Sequence, residues 1–110
     1  MLDKTLTQLE TNIRQSEILG AEKKAELLRP LATLKAEIAA LEQTHAEHAT
    51  SVVESTAQLT LEVIRQTRDP QLVASANQGL STVVAELEAA HPQLVQTVNA
   101  ISVLLSSIGI

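Results

Sequence analysis

The sequence predicts an all-α fold, a helical bundle or coiled-coil-like domain covering residues 1–110, and three observations predict it. Apolar residues recur at alternating four- and three-residue spacings along most of the chain. Turn formers are scarce, with three Gly and three Pro in 110 residues, too few for a sheet that needs a turn every few residues. Phe, Tyr and Trp are absent, so Leu, Ile, Val and Ala form the core without the large area that aromatic rings bring. Such side chains pack in layers between helices. A chain this long buries only about two-thirds of its unfolded surface, which leaves room for a second copy to complete the core.

The first helix is expected to start at Asp3, a good cap, and to carry Leu2, Leu6, Leu9 and Ile13 on one face. Glu10 and Arg14 are spaced as an i,i+4 ion pair. Gly20 closes this helix or caps the next. From Ala21 a second helix could run as far as Thr67. Its stripe reads Leu27, Leu31, Leu34, Ile38, Leu41, His45, His48, Val52, Ser55, Leu59, the period of a coiled-coil seam. Unbroken, this helix would span roughly 70 Å. Pro30 argues for a kink, and Ser51 to Glu54 matches a capping box that would restart the helix. The stretches around Leu6–Ile13 and Leu31–Ile38 share their apolar positions, as two helices of a hairpin would.

Asp69-Pro70 marks a boundary, with Asp suited to the cap and Pro to the first helical turn. It divides a charged N-terminal part, 1–68, from a charge-poor C-terminal part, 69–110. A third stretch carries Leu72, Ala76, Leu80, Val83, Val84 and Leu87, weakened at Gly79. His91-Pro92 marks another start. The last helix carries Leu94, Val98, Ile101, Leu105 and Ile108, with Gly109 as a C-terminal cap before Ile110.

Charge is distributed unevenly. All eight Lys and Arg lie between Lys4 and Arg68, and beyond Pro70 the only charged side chains are Glu86 and Glu88. A helix that shows one face to water usually carries Lys, Glu or Arg there. The last helix offers Gln93, Gln96, Thr97, Asn99, Ser102, Ser106 and Ser107 instead. Small neutral polar residues tolerate close helix contact better than charges do. The pattern predicts a homo-oligomer interface through Leu94, Val98, Ile101, Leu105 and Ile108. A central helix of a monomeric bundle is the plainer alternative. The segment has too many polar residues to cross a membrane, and it lacks the basic face of an interfacial helix.

The formal charge of −5 disfavours nucleic acid as a partner. Without Cys there is no thiol nucleophile, disulfide or Cys-based metal site. Met1 to Leu9 lack a signal-peptide pattern, so the expected location is the cytoplasm. No phosphate loop, nucleophile elbow or HExxH motif is present, and no enzyme activity or cofactor is expected. Glu-x-x-His occurs twice, as Glu42 with His45 and Glu88 with His91. Di-iron bundles use such i,i+3 pairs, so Glu42, His45, Glu88 and His91 are the candidate metal ligands. The bland reading makes these histidines ordinary packing residues. His45 and His48 also fall on the seam of the long helix as polar residues that set register, with an interchain zinc site or a loss of association at acid pH as further readings.

The string Leu87-Glu88-Ala89-Ala90-His91-Pro92-Gln93-Leu94, followed by Ile101 and the ending Ser107-Ile108-Gly109-Ile110, resembles a family of small bacterial helical proteins known as Domain of Unknown Function 4404. The resemblance covers residues 87–110. It implies a helical fold and a bacterial source, transfers no activity, and suggests that Glu88, His91, Pro92 and Gly109 form a structural corner and cap. The residues themselves point to a non-enzymatic module that binds itself or another helical protein. The alternatives are a metal-binding bundle, a subunit of a helical filament, and a membrane-surface protein.

Overall fold

The computed structural model describes residues 2–65 and 67–109. Among the described residues there are five helices and no strand. The helices are α1 (Leu2–Gln15), α2 (Ala21–Thr44), α3 (Ala46–Ile64), α4 (Pro70–Leu87) and α5 (Pro92–Gly109). The all-α bundle expected from the apolar periodicity is what the chain adopts.

Side-chain bonds fix the directions of the helices. At the start of α2, Lys24 Nζ donates to the Arg14 carbonyl at 2.8 Å, capping the end of α1. Further along, Lys35 Nζ lies 2.8 Å from Thr7 Oγ1, 3.3 Å from Glu10 Oε1 and 3.7 Å from Asp3 Oδ1. Helices α1 and α2 therefore run antiparallel, as the paired stripes predict. The Glu10–Arg14 pair expected within α1 is replaced by Glu10–Lys35 across the hairpin. Asp3 sits inside the first turn of α1 and faces Lys35, where a cap position had been expected. Gly20 is the N-cap of α2, with an ordinary φ of −71°.

The middle segment is two helices, not one. An unbroken 21–67 helix would exceed the 37 Å length of the molecule. Helix α2 alone, at about 1.5 Å per residue, already spans roughly 36 Å. The break falls at His45, at φ −139° and ψ 66°, which ends α2 and caps α3. Neither expected breaking point is used. Pro30 lies within α2 without ending it, and Ser51 is an exposed position inside α3.

Helix α3 returns along α2 and forms the centre of the bundle with it. Helix α1 covers one side of the pair, α4 lies against α3, and α5 packs on α2, α3 and α4; α1 touches neither α4 nor α5. Arg68 joins the far end. Its guanidinium group donates to the Val63 carbonyl at 3.0 Å and the Ile108 carbonyl at 3.3 Å. A cation there complements the negative C-terminal ends of α3 and α5. Asp69 caps α4 as its sequence implies, accepting from the Gln71 N–H at 2.9 Å.

The core is built from Leu6, Leu9 and Ile13 of α1, the Leu27–Leu41 stripe of α2, and Val52, Val53, Leu59 and Val63 of α3. Ala76, Leu80 and Leu87 of α4 and Leu94, Val95, Val98, Ile101 and Leu105 of α5 complete it. Because α3 is covered on more than one side, its buried stripe is wide enough to include Ala49, Thr56 and Thr60. Thr60 Oγ1 satisfies itself by donating to the Thr56 carbonyl at 2.8 Å.

Candidate functional site

All three histidines of the chain meet at one end of the bundle. His45 is the hinge between α2 and α3, and His48 lies in the first turn of α3. His91 immediately precedes Pro92, which cannot continue a preceding helix and starts α5. The backbone N–H of His91 closes the α4 end on the Leu87 carbonyl at 2.8 Å, and its own carbonyl accepts from Val95 at 3.1 Å. The two corners thus hold the rings by their backbones. Ring centroids are 5.4 Å apart for His45–His48, 5.2 Å for His45–His91 and 5.7 Å for His48–His91. The His45 and His48 planes are parallel within 4°, and His91 stands edge-on to both at 72°.

The nitrogens differ in their surroundings. His45 Nδ1 lies 3.0 Å from Thr44 Oγ1. That hydroxyl also lies 3.4 Å from the Leu41 carbonyl, so it can donate there while accepting from Nδ1–H, the tautomer that leaves the Nε2 lone pair of His45 free. His91 Nε2 is buried without a hydrogen-bond partner. His45 and His48 are exposed, not buried in a seam as the heptad phase suggested, while His91 is half-buried. The seam loses them because the helix turns at His45, and the buried phase resumes at Ala49 and Val52.

An open groove of about 550 Å³ adjoins the cluster. Leu41, Ala40 and Thr44 of α2 line one wall, and Ala90, Pro92 and Leu94 the other, with His45 and His91 at its edge. Glu37, whose Oε1 is buried without a partner, also faces it. Of the expected ligand set, His45 and His91 come together. Glu42 is half-buried near the end of α2, and Glu88 is exposed just after α4. Among the described residues, no three His, Asp or Glu side chains are already arranged as a metal-binding group. Reading Glu-x-x-His on helix faces missed the part of His48 in the cluster. The signal that would find it is helix direction: corners that follow two ascending helices share one end.

The second candidate surface is the charge-poor C-terminal part. Leu94, Val98, Ile101 and Leu105 are buried by the chain's own helices, and Ile108 is half-buried beside them. An association surface on α5 therefore falls to its other face. There Gln93, Gln96, Asn99, Ala100, Val103, Ser106 and Ser107 are exposed. Between α4 and α5 lies a shallow groove of about 270 Å³, edged by Ser81, Ala85, Asn99 and Ser102, with Leu80 and Val84 at its base and Glu88 at one side. Among the described residues, no helix is long and apolar enough to cross a membrane.

Compared with known protein families, characterised proteins and solved structures, the chain matches none.

Proposed function

We propose that this chain is a non-enzymatic helical interaction module that pairs with a second copy of itself through the outer face of α4 and α5. The observation that carries this reading is the charge distribution on the folded surface. From Pro70 onward the sequence has no Lys or Arg, and the outward residues of α5 are all neutral. The formal charge of −5 is split as −2 over residues 1–68, where eight Lys and Arg face ten Asp and Glu, and −3 over residues 69–110, from Asp69, Glu86 and Glu88, so none of it lies on α5. The neutral face is where two copies approach at least electrostatic cost. Val103, 69% exposed, supplies apolar area there, and half-buried Val84 adds to it at the base of the α4–α5 groove. The small side chains edging the α4–α5 groove allow close approach of a partner helix, and a two-fold axis makes one such face self-complementary.

The likeness of residues 87–110 to the bacterial helical family belongs to this reading as its proposed kinship and adds no activity to it. The test is the native mass in solution, followed by refractive index because the chain has no Trp or Tyr. The expected mass is twice the 11.8 kDa of the chain. Val103→Glu, which sets like charges against each other across the two-fold axis, should return the single-chain mass with an unchanged helical spectrum. A parent protein of single-chain mass at every concentration tested removes the proposal. A mass that grows without limit as concentration rises replaces the closed pair with a filament.

A further inference from the structure

We infer that His45, His48 and His91 form a binding site for one divalent transition-metal ion of the zinc type. This goes beyond self-association and is independent of it, since the site lies within one chain.

Spacing carries the argument. Three imidazole nitrogens held about 2.0–2.1 Å from a tetrahedral ion place their ring centroids about 5 Å apart. The observed separations are 5.2, 5.4 and 5.7 Å. The backbone has therefore already brought the three rings to ligand range. What differs from a bound site is the aim of the nitrogens, consistent with the lack of a ready-made donor group. The Cβ–Cγ bond of histidine points through its ring, so turning about it re-aims the nitrogens and leaves the centroid almost in place. That torsion is broad and soft. His48 is exposed and free to turn.

The donor chemistry fits as well. Thr44 Oγ1 lies within bonding distance of His45 Nδ1, and in the tautomer that carries its proton on Nδ1 the ring presents Nε2 as the ligand atom; a metal-binding histidine commonly has its other nitrogen fixed in this way. His91 keeps a buried Nε2 with nothing to bond, a cost that coordination removes. Three neutral imidazoles suit Zn²⁺, Co²⁺, Ni²⁺ or Cu²⁺ rather than Mg²⁺ or Ca²⁺, which favour oxygen ligands. The groove at His45 and His91 provides entry, and water takes the fourth position.

The test is titration of the tag-free, metal-free full chain with Co²⁺, read by its visible absorption, then displacement by Zn²⁺. With no Cys in the chain, any Co²⁺ spectrum reports nitrogen and oxygen ligands alone. The expected result is one ion per chain, with His48→Ala and His91→Ala each weakening binding by at least about tenfold and Glu88→Gln leaving it unchanged. Circular dichroism of each variant checks that the helices persist. No Co²⁺ bound at tenfold excess overturns the inference. So does binding undiminished in His91→Ala, or a ratio of one ion to two chains. A loss in Glu88→Gln equal to that in His91→Ala also overturns it, by placing the ligands on the Glu-x-x-His faces.

Discussion

The packing of α5 decides whether its apolar stripe belongs to the core or to a partner, and Leu105→Ala tests it. Leu105 is 1% exposed and surrounded by the chain's own core, while Val103, two residues earlier on the same helix, is 69% exposed. Shortening a buried Leu to Ala removes transferred area and leaves a cavity, costing about 2–5 kcal/mol. In a chain of this size the total stability is on the order of 5–15 kcal/mol, so the loss is a large part of the whole. At about 4 °C per kcal/mol, thermal unfolding followed by circular dichroism should fall by roughly 8–20 °C. Val103→Ala in the single chain should move it by no more than about 2 °C, as surface changes do.

Dilution separates the two readings of the stripe. A core residue destabilises the chain equally at low and high protein concentration, whereas an interface residue acts through mass action and changes the concentration dependence. If Leu105→Ala leaves the unfolding temperature of dilute protein in place and lowers only the native mass, α5 does not pack on α2 and α3 as described. Deleting Pro92 to Ile110 is a poorer experiment. It strips Leu94, Val95, Val98, Ile101 and Leu105 from the core at once, and the remaining helices would unfold whatever the oligomeric state.

Two further changes test local structure. Asp69→Ala removes the acceptor for the Gln71 N–H and should cost about 1 kcal/mol in urea unfolding with an unchanged denaturant slope. Gly79→Ala should stabilise by roughly 0.5–1 kcal/mol in the same assay. An added Cβ there meets nothing within 4 Å, and the glycine φ is not positive.

The helical stripes were legible because they are local. Leu6, Leu9 and Ile13, the Leu27–Leu41 series and Leu94–Leu105 are each buried where their spacing put them. Asp69-Pro70 was legible for the same reason: cap and first turn are neighbours in sequence. The turn at His45 was not, because the four-three spacing continues across it from Leu41 to Val52 without a change of phase. Periodicity reports which residues share a face, and it is blind to a helix that stops and resumes. Nor could Pro30 serve as a guide, since α2 accommodates it without ending. The uncharged outer face of α5 stood out in composition. Its inward stripe looked the same whether covered by this chain or by a copy.

The histidine cluster follows from that turn. With an unbroken helix over 21–67, His45 and His48 lie mid-helix, far from any corner at His91. Once the chain reverses at His45, helices alternate in direction, and the α2–α3 and α4–α5 corners necessarily share an end. Arg68 marks the opposite end, where it reaches both Val63 at the close of α3 and Ile108 near the close of α5. Helices α3 and α5 are also nearly matched in length, 19 and 18 residues, so the alignment fixed at Arg68 is kept over about 27 Å to the histidine end. A change of one turn in either helix would move His91 by about 5 Å relative to His48, as far as the rings now stand apart. The spacing of the three rings is therefore a property of the whole C-terminal half of the bundle, not of any motif within it.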